Sequence, residues 1–146
     1  VELVARVLND SGLPPALLEL EIAESTVMQQ PDFALATLKK LKDLGVLLTL
    51  DDFGIGLSGV SYLRRFPVDR LKIDRSLVTA VHQDADHQAV VAAIVGLGHA
   101  LGLKVVAKGV ETEAQKTMLR ACGCDFLQGF LTGAPADADT AAKEYV

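Results

Sequence analysis

The chain of 146 residues contains no tryptophan, only two cysteines and no excess of positive charge. Aromatic residues make up 5% of a sequence that is 50% hydrophobic, so a compact core has to be built from Val, Leu, Ile and Ala. The net charge of −5 and the missing basic patch argue against a DNA-binding protein. No apolar run reaches the roughly 18 residues of a membrane span, and no basic segment precedes one as in a signal peptide. We therefore expect a single folded domain with no membrane segment.

The two cysteines, Cys122 and Cys124, are separated by one residue. This spacing is too tight for an easy disulfide, and too few other ligands lie nearby for a zinc site. We expect free thiols, which suits a reducing cytosol. Because the sequence begins at Val1 without a methionine and directly in a helical pattern, we also expect it to be a piece of a longer protein.

Apolar, strand-like runs alternate with amphipathic helical segments along the whole chain. The runs cover residues 17–23, 46–50, 68–73, 103–107 and 125–127, and the tail from Ala134 is weakly helical at best. Such alternation predicts parallel strands joined by right-handed crossovers, an α/β architecture. An open doubly wound sheet and a (β/α)8 TIM-like barrel both fit this pattern. Polar residues end nearly every strand, which favours the barrel. Five β/α units make only a partial barrel, because a complete one takes about 250 residues.

The polar residues at the strand ends are the candidates for chemistry. They are Glu21, Glu24, Asp51, Asp52, Lys72, Asp74, Lys108, Glu111 and Gln128. Carboxylates from different strands can bind hard divalent cations, and two cations about 3.5–4 Å apart catalyse phosphodiester cleavage. A lysine among them can hold a water molecule or neutralise a phosphate. The alternative is that these acids pair with nearby Lys and Arg or cap the following helices.

Five motifs resemble the EAL domain family, the bacterial cyclic di-GMP phosphodiesterases. They are LEIAES at 20–25, DDFGIGLS at 51–58, LKIDRS at 71–76, VVAKGVET at 105–112 and GCDFLQGF at 123–130. The resemblance covers essentially all of residues 1–146, as the C-terminal part of a single EAL domain. It implies a modified TIM barrel that hydrolyses cyclic di-GMP to linear pGpG with Mg²⁺ or Mn²⁺. It also implies a bacterial cytoplasmic protein, self-association as a homodimer, and an attached GGDEF or sensor domain in the parent chain.

The same resemblance assigns roles to individual residues. It makes Glu21, Asp51 and Asp52 metal ligands, Lys72 the holder of the attacking water, and Glu111 and Gln128 supports of the metal and water network. It gives Glu24 the task of bracing the loop that Phe53 and Gly54 begin, a loop that in this family also helps form the dimer.

Three departures from the family pattern matter for activity. The Glu-Ala-Leu strand and the asparagine of the next strand do not occur in this sequence, which starts after them. Lys108 stands where the family has a catalytic glutamate. Ile55, Leu57 and Gly59 replace the family's Thr, Tyr and Ser.

Lys108 changes the local charge by two units. We expect it either to compete with a metal ion for Glu21 and Asp51 or to swing into solvent. Hydrolysis is therefore expected to be impaired or absent. The alternative function is a degenerate module that binds cyclic di-GMP or a protein partner without catalysis.

Overall fold

Five parallel strands form one sheet, in the same order as they occur along the chain. The computed structural model describes residues 1–55 and 60–145. The strands are β1 (Glu19–Ala23), β2 (Leu47–Phe53), β3 (Arg70–Ile73), β4 (Lys104–Lys108) and β5 (Phe126–Gln128). A doubly wound sheet reverses its strand order at a switch point, whereas a barrel wall keeps it sequential. The α/β prediction of a partial (β/α)8 barrel with five units is confirmed.

Helices lie before, between and after the strands. They are α1 (Glu2–Ser11), α2 (Glu24–Gln29), α3 (Pro31–Asp43), α4 (Val60–Leu63), α5 (Arg75–Thr79), α6 (Ala85–Ala100), α7 (Glu113–Ala121) and α8 (Ala138–Tyr145). Local sequence explains several helix starts. Pro31 is the first residue of α3, and the side chain of Asp84 caps α6. At the start of α7, Thr112 and Gln115 form a reciprocal capping box that pairs two otherwise free N–H groups.

The core lies on one face of the sheet. Alternate residues of the central strands are almost completely buried there: Leu48, Leu50, Leu71, Ile73, Val105 and Ala107. Helix α6 packs against β3 and β4. The other face is polar, and Arg70 of β3 donates a 2.7 Å hydrogen bond to Glu19 of β1 across it. This is the face that a barrel encloses.

Some boundaries differ from the sequence predictions. Helix α2 was not predicted, and it forms because Val27 and Glu24 are buried against the rest of the fold. Strand β2 continues to Phe53, three residues beyond the predicted end at Leu50. Asp51 and Asp52 therefore belong to the strand and not to the following loop. The tail forms the eight-residue helix α8 and is more helical than expected. The predicted loop up to Gly59, including Leu57, lies outside the described residues from position 56 onward.

Cys122 and Cys124 are free thiols, as predicted. Burial, assisted by the negative charges of Cys122 and Asp125, raises the pKa of Cys124 to about 12. Within the described part of the chain, every helix is too short or too polar to span a bilayer.

Candidate functional site at the carboxyl edge of the sheet

The end of β2 is irregular, and the irregularity aims two acids at one partner. In a regular strand Asp51 and Asp52 would point to opposite faces. Here the register with β3 shifts between Leu50 and Phe53, and Asp52 has a φ of 58°. This left-handed conformation is uncommon outside glycine, but aspartate is among the residues that tolerate it best. A bulge of this kind re-aims side chains next to functional sites.

The common partner is Lys108, the last residue of β4. Its Nζ lies 2.9 and 3.0 Å from the two carboxylate oxygens of Asp51, and it also donates to Oδ1 of Asp52. Because β3 separates β2 from β4, the lysine side chain reaches across one strand. Burial alone would lower the pKa of Lys108, but the hydrogen bonds to Asp52 and Asp51 outweigh burial and raise it. The structure thus places a charged ammonium group against both aspartates, and not in solvent.

Glu21 is held by a different lysine. Lys72 of β3, only 6% exposed, donates a hydrogen bond to Oε1 of Glu21 on β1. The prediction put Lys108 near Glu21 as well as Asp51, whereas its contacts are with Asp51 and Asp52. The pair of Lys72 and Glu21 borders a depression of about 230 Å³ on the polar face, which Gln128 also lines.

Glu111 and Gln128 lie around a second cavity of about 440 Å³, together with Lys108. The carboxylate of Glu111 accepts a 2.6 Å hydrogen bond from Arg75, the first residue of α5. The backbone oxygen of Gln128 accepts from the N–H groups of Gly109 and Val110 at 2.8 and 3.0 Å, which fixes the turn after β4. Arg75 was not among the predicted site residues, although its place directly after the polar end of β3 is a signal that could have identified it.

The three predicted loop-support residues lie close together. Glu24 begins α2 and is 6% exposed; burial raises the pKa of its carboxyl group, and a hydrogen bond from the backbone of Gly54 opposes the rise. Phe53 is 4% exposed in the core. Gly54 has a φ of 107°, and a Cβ atom there would lie 2.6 Å from Cδ1 of Leu77. These contacts fit a bracing role, which stays a prediction.

The predicted metal ligands can be tested for their fit to an ion. Among residues 1–55 and 60–145, no three His, Cys, Asp or Glu side chains are grouped so that they could hold a metal. Glu21 is paired with Lys72, and the two aspartates are paired with Lys108. In this arrangement the side chains do not fit a divalent cation, and the metal-binding roles of Glu21, Asp51 and Asp52 stay predictions.

Comparison with known proteins identifies the protein family of this chain. Residues 1–135 match the family model of the EAL domain. The chain therefore belongs to the EAL domain family, as the five motifs indicated.

Two curated relatives come from Pseudomonas aeruginosa. The bifunctional diguanylate cyclase/cyclic di-GMP phosphodiesterase MucR is 47% identical over 139 residues, which are 95% of this chain and 20% of MucR. The cyclic di-GMP phosphodiesterase NbdA is 41% identical over 135 residues, which are 92% of this chain and 17% of NbdA. The chain thus spans about a fifth of the length of these relatives.

Solved structures agree with the fold. The structure of the PaMucR phosphodiesterase in complex with c-di-GMP has a TM-score of 0.91 and 46% identity, and the match covers 95% of this chain and 56% of that one. Klebsiella pneumoniae BlrP1, in a manganese/cy-diGMP complex, has a TM-score of 0.83 and 38% identity, with 89% of this chain and 33% of that chain covered. Both solved structures therefore contain cyclic di-GMP, and the BlrP1 structure also contains manganese.

Proposed function

We propose that this chain forms part of a cyclic di-GMP site in an EAL domain whose hydrolysis of the nucleotide to pGpG is impaired. Membership of the family and the cyclic di-GMP phosphodiesterase activities of the relatives MucR and NbdA support the substrate. The observation that carries the impairment is the Lys108 ammonium group, which is bound to Asp51 and Asp52.

The physical reason is the reversal of charge. An ammonium group that remains protonated cannot accept a proton from a nucleophilic water, and it repels a divalent cation. At 4 Å and an effective dielectric constant near 20, two unit charges interact by about 4 kcal/mol. Exchanging an acid for a lysine beside Asp51 and Asp52 therefore removes the electrostatic basis for metal-assisted phosphodiester cleavage.

Turnover of cyclic di-GMP tests this proposal. We would use the longest natural chain that contains these residues, supply Mg²⁺ or Mn²⁺, and follow the linear product by chromatography. We expect Lys108→Glu to raise the rate by about 100-fold or more, the usual range for a restored acid–base group.

Lys104→Glu is the matched control, because this exposed lysine lies at the opposite end of β4 and the charge change is the same. It should leave the rate unchanged. Rapid turnover by the wild-type protein, equal to that of Lys108→Glu, would contradict the proposal.

Binding without hydrolysis is the second candidate function. Arg75 lines the cavity of about 440 Å³ beside Lys108, and its side chain is 59% exposed. Since its guanidinium group has five N–H donors and uses one nitrogen for Glu111, it can also bind a phosphodiester group of the ligand. Calorimetric titration with cyclic di-GMP distinguishes the two candidates. Binding with no turnover supports a sensor, whereas no binding at all leaves a protein partner as the remaining alternative.

We further propose that the domain self-associates and works in the bacterial cytoplasm, alongside a GGDEF or sensor domain. Strand β1 ends the described sheet, and unpaired strand edges readily add another chain. Phe33, on the neighbouring helix α3, is 70% exposed, and its burial against a second copy of the domain would stabilise the assembly. Light scattering measures the assembly, and a monomeric mass at all concentrations would contradict self-association.

A further inference from the structure

We infer that the Lys108 ammonium group is a built-in cation that takes the place of a divalent ion between Asp51 and Asp52, so that these carboxylates do not bind Mg²⁺ or Mn²⁺. The inference deepens the proposed function and rests on it for the location of the site. It concerns the cation and not the nucleotide, and its test uses the metal ion alone.

The hydrogen bonds of the ammonium group are complete. A lysine has three N–H donors, and Lys108 directs hydrogen bonds to three oxygens: both of Asp51 and Oδ1 of Asp52. The Oδ1 atom of Asp51 also accepts a 2.8 Å hydrogen bond from the backbone N–H of Asp52. A hard divalent cation would need these same oxygens as ligands. It would therefore have to displace the ammonium group before it could bind.

Displacement is opposed by the partial burial of the three side chains. The exposed fractions are 28% for Lys108, 18% for Asp51 and 42% for Asp52. Partly buried charges are screened by salt much less than charges on an open surface. If Lys108 moved away, its charge would remain tethered beside the entering metal ion, because the lysine backbone is fixed by pairing with Gln128 in the sheet.

In the described part of the chain, the neighbouring acids do not form a group of three that could serve as a substitute ligand set. Glu21 is bound by Lys72, and Glu111 is bound by Arg75. The acids with a predicted role in the metal site, Glu21, Asp51, Asp52 and Glu111, are thus each matched by a cationic side chain among the described residues. Asp74 instead accepts a hydrogen bond from the backbone N–H of Ser76. The edge as a whole resembles a network of internal ion pairs and not a vacant cation site.

Calorimetric titration with MnCl₂ tests the inference on the longest natural chain that contains these residues. The wild-type protein is compared with Lys108→Gln, which removes the ammonium charge, and Lys108→Glu, which also restores an acid. We expect both variants to gain Mn²⁺ affinity. The gain for Lys108→Glu should be about 100-fold or more, which corresponds to about 2.8 kcal/mol.

Lys104→Gln is the matched control, since it removes a lysine from the same strand at a position paired with Asp125. Its Mn²⁺ affinity should equal that of the wild type. Thermal unfolding of every variant shows that each one is folded. Tight Mn²⁺ binding by the wild type overturns the inference, and so does equal affinity in the wild type and Lys108→Gln, whether strong or undetectable.

The proposed function and this inference fail separately. A protein that does not bind or cleave cyclic di-GMP in any variant contradicts the proposed function. The comparison of Mn²⁺ affinities between the wild type and the two Lys108 variants is still decisive for the cation.

Discussion

Replacing Gly54 with alanine should be one of the most damaging single-methyl changes in this chain. Gly54 follows the paired acids of β2 directly and has a φ of 107°. An added Cβ atom would lie 2.6 Å from Cδ1 of Leu77 and 2.9 Å from Cδ1 of Ile94. Both distances are shorter than ordinary van der Waals contact, so the added methyl group would crowd the core. The φ of 107° is in addition unfavourable for a residue with a side chain.

The expected loss of stability has two parts. Holding a residue with a side chain in such a backbone conformation costs about 1–3 kcal/mol. Overpacking a filled core adds about 1–3 kcal/mol. The two add up to a decrease of at least about 2 kcal/mol in the free energy of unfolding. At about 3 °C per kcal/mol for a domain of this size, Tm should fall by about 6 °C or more.

Gly102→Ala provides the matched control. Gly102 has a φ of 76°, and a Cβ atom there meets nothing within 4 Å. It therefore carries the backbone cost without the crowding. Urea unfolding of the wild type and both variants separates the two parts, and the variant pair should differ by about 1–3 kcal/mol.

Leu77→Ala in the Gly54→Ala background gives a second check. Removing the side chain that the new methyl group meets should restore part of the stability, so the two changes should be non-additive. Gly54→Ala with the same unfolding free energy as Gly102→Ala would refute the close contact on which the expectation rests.

Two further predictions concern buried or hydrogen-bonded acids and their pH dependence. Burial raises the pKa of Glu24, so its ionised form destabilises the folded state. Glu24→Gln should therefore raise the free energy of unfolding at pH 7. The gain in stability should shrink toward pH 4, because Glu24 itself becomes protonated there. A Glu24→Gln protein less stable than wild type in urea at pH 7 would contradict this. Burial would raise the pKa of Asp125, but hydrogen bonds from Lys104, the Val105 N–H and His99 hold it well below its usual range. Asp125→Ala should therefore cost about 1–3 kcal/mol at pH 7, a difference that narrows as the pH falls below about 4; an unchanged pH profile in urea would refute it.

The strands and their order could be predicted because their signals are local. Each strand is a short apolar run that ends in a polar residue, and consecutive parallel strands joined by short helical crossovers lie side by side. Helix α2 could not be predicted in the same way. Its six residues are too few to show a helical period, and burial of Val27 decides its conformation. Tertiary packing, and not local propensity, is the cause.

The sequence indicated which polar residues lie at this edge of the sheet, but it did not indicate which of them pair with one another. The position of Lys108 at a strand end and its charge both indicated an interaction with Asp51. Its second partner is Asp52 and not Glu21, because Lys72 already holds Glu21. The left-handed turn at Asp52, which allows this, has no signature in the spacing of the residues. Which acid pairs with which lysine depends on the register between the strands, and the pattern of residues along the sequence does not specify that register.

The contact between Lys108 and the two aspartates has a consequence for the history of such domains. Glutamate and lysine codons differ only in the first base, so the acid that the family resemblance puts at position 108 and the lysine found there are one nucleotide substitution apart. The buried residues of the core are untouched by that substitution, and the fold is free to persist through it. Under the proposed role, a single point mutation at position 108 can convert a domain that hydrolyses a second messenger into one that only binds it, and the reverse mutation can restore hydrolysis.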